Sequence, residues 1–444
     1  MANHAKIVSL IDVSVSMSSY DYITAAKSDL DTFINMFQPN DEFSVVSFET
    51  HPHYTYPTTA NLAVYDDPSK MSQASAAIQA LTAYGSSTNI GDAIITGSNL
   101  LNPKAEPRGI VLLSDGMWND GPDPLDVLPD DIRIYTIALG NHGQLDLLRQ
   151  ISAETQGQYF YTPDEIGLAS IYFDILEYGA VGQVVNNAFK TVPDGGSLRI
   201  PVKLSSGLDS ASIGVNWADP SITYNASGGA PQGNQVSVRI LDPDFKVANP
   251  PVTDRDYGFV VFTLDQPKGG TWYFDCFYHG SGSCNMTVGA LDPDLVGNLE
   301  LTGPSAVVAA GTPAALRARL AYDGEAVKDA AISATVEAPA VSTEEALERH
   351  AEELATVALP EEDADKANAD LLRLSLLRRQ KLPYVDLVPR YTAPAQIRPA
   401  DDGGHEIVVH TDKPGEYTVR VDALGRHPNG SDLARTKRFT VSVR

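Results

Sequence analysis

The chain has 444 residues, too many for one ordinary core, and its 43% hydrophobic and 20% charged residues exclude a disordered protein. A formal net charge of −25 sets it against nucleic acid and anionic membrane surfaces, both of which it would repel. No run of about 18 or more apolar residues occurs, so no transmembrane helix is expected.

Met1-Ala2-Asn3-His4-Ala5-Lys6 leads almost directly into a first strand, so no secretory leader is expected. The chain as it stands is therefore expected in the cytoplasm; a leader removed beforehand would place it outside the cell or in a periplasm. From about residue 5 to 180, strand-like and helix-like segments alternate. Residues 7–13 form a short apolar run suited to a buried parallel strand. Helical spacing follows at Tyr22, Ile23, Ala26, Leu30, Phe33, Ile34 and Phe37, and stops at Pro39-Asn40. Further strands are predicted at about 43–48, 110–113 and 132–139, and helices at about 72–81, 90–101, 145–155 and 168–177. Such alternation implies an α/β doubly wound domain over 1–182, with a parallel sheet covered on both faces.

After about residue 183 the texture changes. Segments such as Val236-Ser237-Val238-Arg239-Ile240 and Phe259-Val260-Val261-Phe262 lie between Gly, Pro, Asp and Asn turns. They predict an all-β sandwich over 183–301. A second sandwich, Ig- or fibronectin-like, is predicted over 302–444, with strands at about 315–321, 331–336, 405–410, 417–423 and 439–443. A helical insertion at about 341–400 interrupts it. Ser342-Thr343-Glu344-Glu345 has the capping-box form and opens a charged helix to about 357. A second helix, about 363–380, carries Leu371, Leu372, Leu374, Leu376 and Leu377, which are expected to dock within the chain. Cys276 and Cys284 flank a Gly/Ser-rich turn that would set two adjacent strands side by side, leaving a disulfide and two free thiols both open.

Three short motifs carry the chemistry. Asp12-Val13-Ser14-Val15-Ser16 follows the first strand, Thr88 sits in Gly85-Ser86-Ser87-Thr88-Asn89-Ile90-Gly91 before a helix, and Ser114-Asp115-Gly116 follows a later strand. Ligands of open α/β sheets gather at the carboxyl ends of the strands, so these loops are expected to converge. Asp12, Ser14, Ser16, Thr88 and Asp115 together offer two carboxylates and three hydroxyls, an all-oxygen set suited to hard cations: Mg²⁺ first, with Ca²⁺ and Mn²⁺ as alternatives. Neutral hydroxyls leave the ion electrophilic, with a position for an outside carboxylate.

These residues resemble the von Willebrand factor type A domain and its metal-ion-dependent adhesion site, in the family's motif order. The resemblance covers roughly 1–180 and implies a non-enzymatic, adhesion-type module in which the metal bridges to an Asp or Glu of a protein partner. It also implies that Ser14, Ser16 and Thr88 bind the ion directly, and Asp12 and Asp115 directly or through water. The domain order, with Ile240-Leu241-Asp242-Pro243 and Gly270-Thr271-Trp272-Tyr273 in the sandwich, resembles the calcium-activated chloride channel regulators without their protease domain. Bacterial type A domains also resemble assembly factors working with AAA⁺ ATPases, the alternative reading. An enzyme is not expected. His405-Glu406-Ile407-Val408-Val409-His410 has three residues between Glu and the second His where a zinc protease has two, and it lies on a predicted strand. Ser14 and Ser16 have no evident general base.

Overall fold

The computed structural model describes residues 4–444 apart from 20–21, 103, 116–117, 141–143, 163–166, 179–182, 218, 228, 255–257, 293–296, 305, 360–368, 381–386, 429 and 431. It divides after residue 295 into two compact units.

The first unit opens with an α/β domain. Its elements are β1 (Lys6–Asp12), α1 (Val15–Ser19), α2 (Tyr22–Asn35), β2 (Glu42–Phe48), β3 (Pro52–Tyr56), β4 (Ala63–Val64), α3 (Pro68–Gln79), α4 (Ile90–Leu101), β5 (Arg108–Ser114), β6 (Arg133–Leu139), α5 (Leu145–Glu154), β7 (Tyr159–Thr162) and α6 (Leu168–Tyr178). The sheet order is β3-β2-β1-β5-β6-β7, with β4 also on β2. β1 pairs in parallel with both β2 and β5, and β3 and β4 run antiparallel to β2. Val8 and Leu10 join one core together with Ile90, Ile94 and Ile151 from α4 and α5. Ile7 and Ile11 point the other way by the two-residue period of a strand and are equally buried. Burial on both faces explains why residues 7–11 lack the alternation of a half-exposed strand. The chain leaves β1 on one side for β2 and on the other for β5, so the topological switch point lies between β1 and β5.

The expected helix at 72–81 begins earlier, at Pro68. Asp67 caps it, its carboxylate accepting from the Ser69 N–H at 2.8 Å, and proline at the first position costs no hydrogen bond.

The same unit continues into a sandwich: β8 (Gln183–Pro193), β9 (Ser197–Leu204), β10 (Ser210–Asn216), β11 (Thr223–Tyr224), β12 (Gln235–Leu241), β13 (Val247–Ala248), β14 (Val252–Asp254), β15 (Phe259–Asp265), β16 (Gly270–His279) and β17 (Ser283–Asp292). One sheet runs β14-β15-β10-β17-β8 and the other β11-β12-β16-β9, with β13 on β12. Cys276 on β16 and Cys284 on β17 therefore lie in different sheets, not on paired neighbours as the turn between them suggested. Both are free thiols, buried in the shared apolar core. Burial pushes each of them up to about 12.

The outer face of the β10-bearing sheet is covered by α2 and α6. Gly214 and Gly289 face each other across β10 and β17, and a Cβ on either would come within 2.7 or 2.3 Å of the Phe173 ring. The paired glycines thus form a notch that receives Phe173. Around it the Asn216 amide donates to Thr32 Oγ1 at 2.7 Å, and the Asn187 amide to Ser170 O at 2.6 Å and Asp174 Oδ1 at 2.8 Å.

The second unit contains β18 (Gly297–Thr302), β19 (Ala314–Tyr322), β20 (Glu325–Ala326), β21 (Ala331–Pro339), α7 (Thr343–Arg349), α8 (Ala351–Leu354), α9 (Ala369–Gln380), β22 (Arg390–Pro394), β23 (Gln396–Pro399), β24 (His405–Val409), β25 (Gly415–Arg426) and β26 (Asp432–Val443). Its sheets run β18-β19-β24-β23 and β22-β21-β25-β26. Residues 297–301, assigned to the middle domain by the sequence reading, pair with β19 and belong to this last sandwich. The capping box at Ser342 and Glu345 forms with both bonds present. Leu374 and Leu377 of α9 pack with Leu354 of α8, Val357 and Leu387 in a small core of the insertion's own. The first residues expected in that last helix, 363–368, lie outside the described residues.

Candidate metal site

Asp12 is the last residue of β1 and Asp115 directly follows β5, so the two carboxylates flank the switch point. Asp12 is fully buried, and both its oxygens are held: Oδ1 accepts from the Ser14 N–H at 2.8 Å, and Oδ2 from the Ser114 hydroxyl at 2.6 Å. Ser14 Oγ lies 3.0 Å from Ser16 Oγ, and the Ser16 hydroxyl donates to Asp115 Oδ1 at 2.9 Å. A continuous polar chain thus connects Asp12, Ser14, Ser16 and Asp115, drawn from segments about a hundred residues apart.

Thr88 arrives by its loop. That loop is tied to the first by Tyr84 N–H on Val13 O at 2.7 Å and by Val15 N–H on Gly85 O at 3.0 Å. The Thr88 N–H donates to Asn119 Oδ1 at 2.8 Å. Its side chain is buried and, among the described residues, makes no hydrogen bond to the other four. Asn89 then caps α4, its side-chain Oδ1 accepting from the Asp92 N–H at 3.0 Å. Gly85 sits at φ +80°, where a Cβ would also meet Glu49 Oε2 at 2.6 Å, so glycine is required on both counts.

Burial, together with the negative Asp115 beside it, pushes the Asp12 carboxyl up to about 7. Hydrogen bonds from Ser114 and Ser14 oppose the shift without cancelling it. Two buried carboxylates held this close repel each other unless a proton or a cation lies between them. The donor set fits a hard divalent ion: carboxylate and hydroxyl oxygens, facing one another at the carboxyl edge of the sheet. Among the described residues no three His, Cys, Asp or Glu side chains gather about a common point, so the hydroxyls are integral to the set.

Sequence reading named the five candidate residues but missed three supports. Ser114 was seen only as motif, yet its hydroxyl fixes Asp12. Asn119, which holds the Thr88 backbone, carried no local signal. Glu49, just past β2, receives the Asn89 N–H on its backbone oxygen at 2.8 Å and packs on Gly85. Gly116 lies outside the described residues, as does His142. His405 begins β24, the strand predicted to carry it.

The profile of the von Willebrand factor type A domain matches residues 6–173. No curated protein matches the chain. Among solved structures it is similar to a von Willebrand factor type A protein from Catenulispora acidiphila, at 17% identity and TM-score 0.38, over 72% of this chain and 63% of that one. It is similar to proximal thread matrix protein 1 of the mussel byssus, solved with a zinc-occupied adhesion-site motif, at 18% identity and TM-score 0.35, over 43% and 50% of the two chains. It is also similar to the ArnB paralog VWA2 from Sulfolobus acidocaldarius, at 14% identity and TM-score 0.32, over 72% and 62%. The chain spans less than two thirds of the length of each of these three. With the profile matched across the whole α/β domain and its motif residues gathered at the switch point of the sheet, residues 6–173 are a von Willebrand factor type A domain.

Proposed function

We propose that the type A domain holds one divalent metal ion on Asp12, Ser14, Ser16, Thr88 and Asp115, and that this ion bridges to an Asp or Glu side chain of a protein partner without catalysing a reaction. The observation that carries the reading is the pair of buried carboxylates linked through Ser14 and Ser16, with burial and the neighbouring Asp115 pushing Asp12 up to about 7. Such an arrangement is costly as it stands and becomes favourable around a cation.

When bound, the ion supplies a positive charge that accepts an outside carboxylate. The chain's own residues set its selectivity. Oxygen donors alone favour Mg²⁺, Mn²⁺ or Ca²⁺ over softer metals, and the neutral hydroxyls leave the ion's charge incompletely compensated. Ser114 keeps Asp12 in place, and Asn119 keeps the Thr88 backbone in place. The hydroxyl of Ser16 is spent on a carboxylate, and among the described residues no histidine bonds to Ser14 or Ser16. That favours binding over nucleophilic chemistry.

The test is calorimetric titration of the metal-free chain with Mg²⁺, Mn²⁺, Ca²⁺ and Zn²⁺, repeated on Asp12→Ala. One ion per chain, lost in the variant, is expected. For the bridge, partners recovered in Mg²⁺ should be released by EDTA and absent with Asp12→Ala; recovery unchanged in both arms rejects the bridge.

A further inference from the structure

Among the described residues the most exposed large hydrophobic side chains are Phe245 and Val247, each at 60%. They meet on the outer face of the β11-β12-β16-β9 sheet. Val247 of β13 pairs with Leu241 of β12, Leu241 pairs with Tyr273 of β16, and Phe245 stacks on the Tyr273 ring with centroids 5.0 Å apart. Phe245 is held at φ +60°, a conformation that costs a bulky L-residue stability. Its turn is fixed by the Phe245 N–H on Asp242 O at 2.9 Å and by Asp242 Oδ1, which accepts from the Asp244 and Lys246 N–H groups. Strain kept at an exposed ring, where the core gains little from it, points to a role outside the fold.

A charged row runs beside this apolar one. Two residues further along β16, Asp275 lies between Arg239 of β12 and Arg199 of β9. Arg199 Nε and Nη2 donate to Asp275 at 2.6 and 2.9 Å, and Arg239 Nε and Nη2 at 3.2 and 2.7 Å. Each guanidinium also lies over a ring of β16, Arg199 over Tyr273 at 5.5 Å and Arg239 over Phe277 at 5.4 Å. The Asp275 side chain is covered, 6% exposed, whereas those of Arg199 and Arg239 stay 49% and 43% exposed. Two positive charges against one carboxylate leave one unbalanced, in a chain whose net charge is −25. Among the described residues Nη1 of neither arginine finds an acceptor, so one edge of each guanidinium stays open. That edge is the fork from which a carboxylate accepts.

We propose that this face docks an acidic segment of a protein partner, with an Asp or Glu on the open edges of Arg199 and Arg239 and a large apolar side chain of the same segment against Phe245 and Val247. The charge selects the occupant. An apolar row alone accepts any hydrophobic surface, but the unbalanced guanidinium charge repels basic segments and favours carboxylates. Aromatic, aliphatic and arginine side chains in one patch are the composition of interface centres. Asp275 and the rings already hold the arginines, so little side-chain freedom is lost when a carboxylate arrives. The two rows are two residues, or about 7 Å, apart along β16, which sets the spacing of acid and apolar residue in an extended partner. None of the metal-site residues takes part, so the proposal stands apart from the metal-bridge reading.

The experiment is selection of phage-displayed random peptides on the full chain in EDTA, which keeps the metal site out of play. Enrichment of Asp or Glu within two positions of Phe, Tyr, Trp, Leu or Ile is expected. A synthetic peptide from that pool should bind Arg199→Gln and Phe245→Gly about fivefold more weakly than the parent chain, and Asp12→Ala as well as the parent. Its affinity should fall as salt is raised from about 0.05 to about 0.5 M. Glycine adopts a positive φ without strain, so Phe245→Gly should melt no lower than the parent, and its weaker binding is then not a loss of fold. Enrichment of neutral or basic peptides, no enrichment, or acidic peptides that bind Arg199→Gln and Phe245→Gly like the parent overturns the surface. So does a Phe245→Gly chain that melts well below the parent, because the ring would then serve the fold.

Discussion

At the scale of single residues, the chain spends stability to keep two carboxylates together. Asp12 is raised above its ordinary value, so the native state holds a proton that the unfolded chain would release. Without divalent metal, stability is therefore expected to fall as pH rises from about 4 to about 7, by no more than about 4 kcal/mol, and to level off above that. Denaturant melts of the EDTA-treated chain across this range check the sign; stability that rises over it would show that the Asp12 environment is not repulsive. Asp12→Asn removes the like charge while keeping oxygen and shape. It should raise the melting temperature of the metal-free protein at pH 8 and abolish its metal-induced stabilisation. Function and stability would then pull in opposite directions at one atom. Ser114→Ala removes the 2.6 Å bond to Asp12 and should cost about 1–2 kcal/mol and weaken metal binding about tenfold, read by chemical denaturation and calorimetry.

At the scale of elements, the join between α6 and the sandwich is as specific as any core contact. The glycine pair on β10 and β17 exists to admit Phe173, since a Cβ at Gly289 would lie 2.3 Å from the ring. Gly289→Ala should therefore destabilise by about 1–3 kcal/mol, and combining it with Phe173→Leu should recover part of that loss in a double-mutant cycle. In the second unit, the cap at Ser342 satisfies the Glu345 N–H, and Glu345 returns a bond and also pairs with Lys413 at 2.7 Å. Ser342→Ala should cost about 1 kcal/mol, with amide exchange rising first in α7.

At the scale of the whole molecule, the type A domain and the sandwich after it form one compact unit. Asn216 and Asn187, on strands of the sandwich, hydrogen-bond to α2 and α6 of the type A domain. Phe173→Ala should loosen both halves of that unit together, so that hydrogen exchange speeds up in β10 and β17 as well as in α6. Exchange confined to α6 would show that the two halves unfold separately. Among the described residues no helix is long and apolar enough to cross a membrane.

The elements of the type A domain were legible because each follows a local rule: buried parallel strands read as apolar runs, and helices read by their period and their caps. The three motifs were legible because each is short and follows a strand or precedes a helix. β3 and β7 escaped the sequence reading. β3 is an edge strand whose residues are mostly exposed or half-exposed, and β7 is only four residues long, so neither carries a clear apolar signal. The sandwich strands β10 and β17 are buried almost throughout, because α6 and α2 cover the face that a free sandwich would leave in water. The sequence left the pairing of Cys276 and Cys284 open for a related reason: sequence proximity suggests a hairpin, while the tertiary fold sends the two strands to opposite sheets.

The amino-acid sequence by itself determined the α/β head and the β-rich remainder and named five oxygen-bearing candidates, because periodicity and motif spacing are properties of neighbouring residues. Only the tertiary structure decided that Asp12 and Asp115 flank the switch point, that Ser114 and Asn119 support the site, and that Asp275 lies between Arg199 and Arg239. Those facts depend on which strands lie next to each other, and pairing across a sheet is a contest among distant segments that no local pattern records.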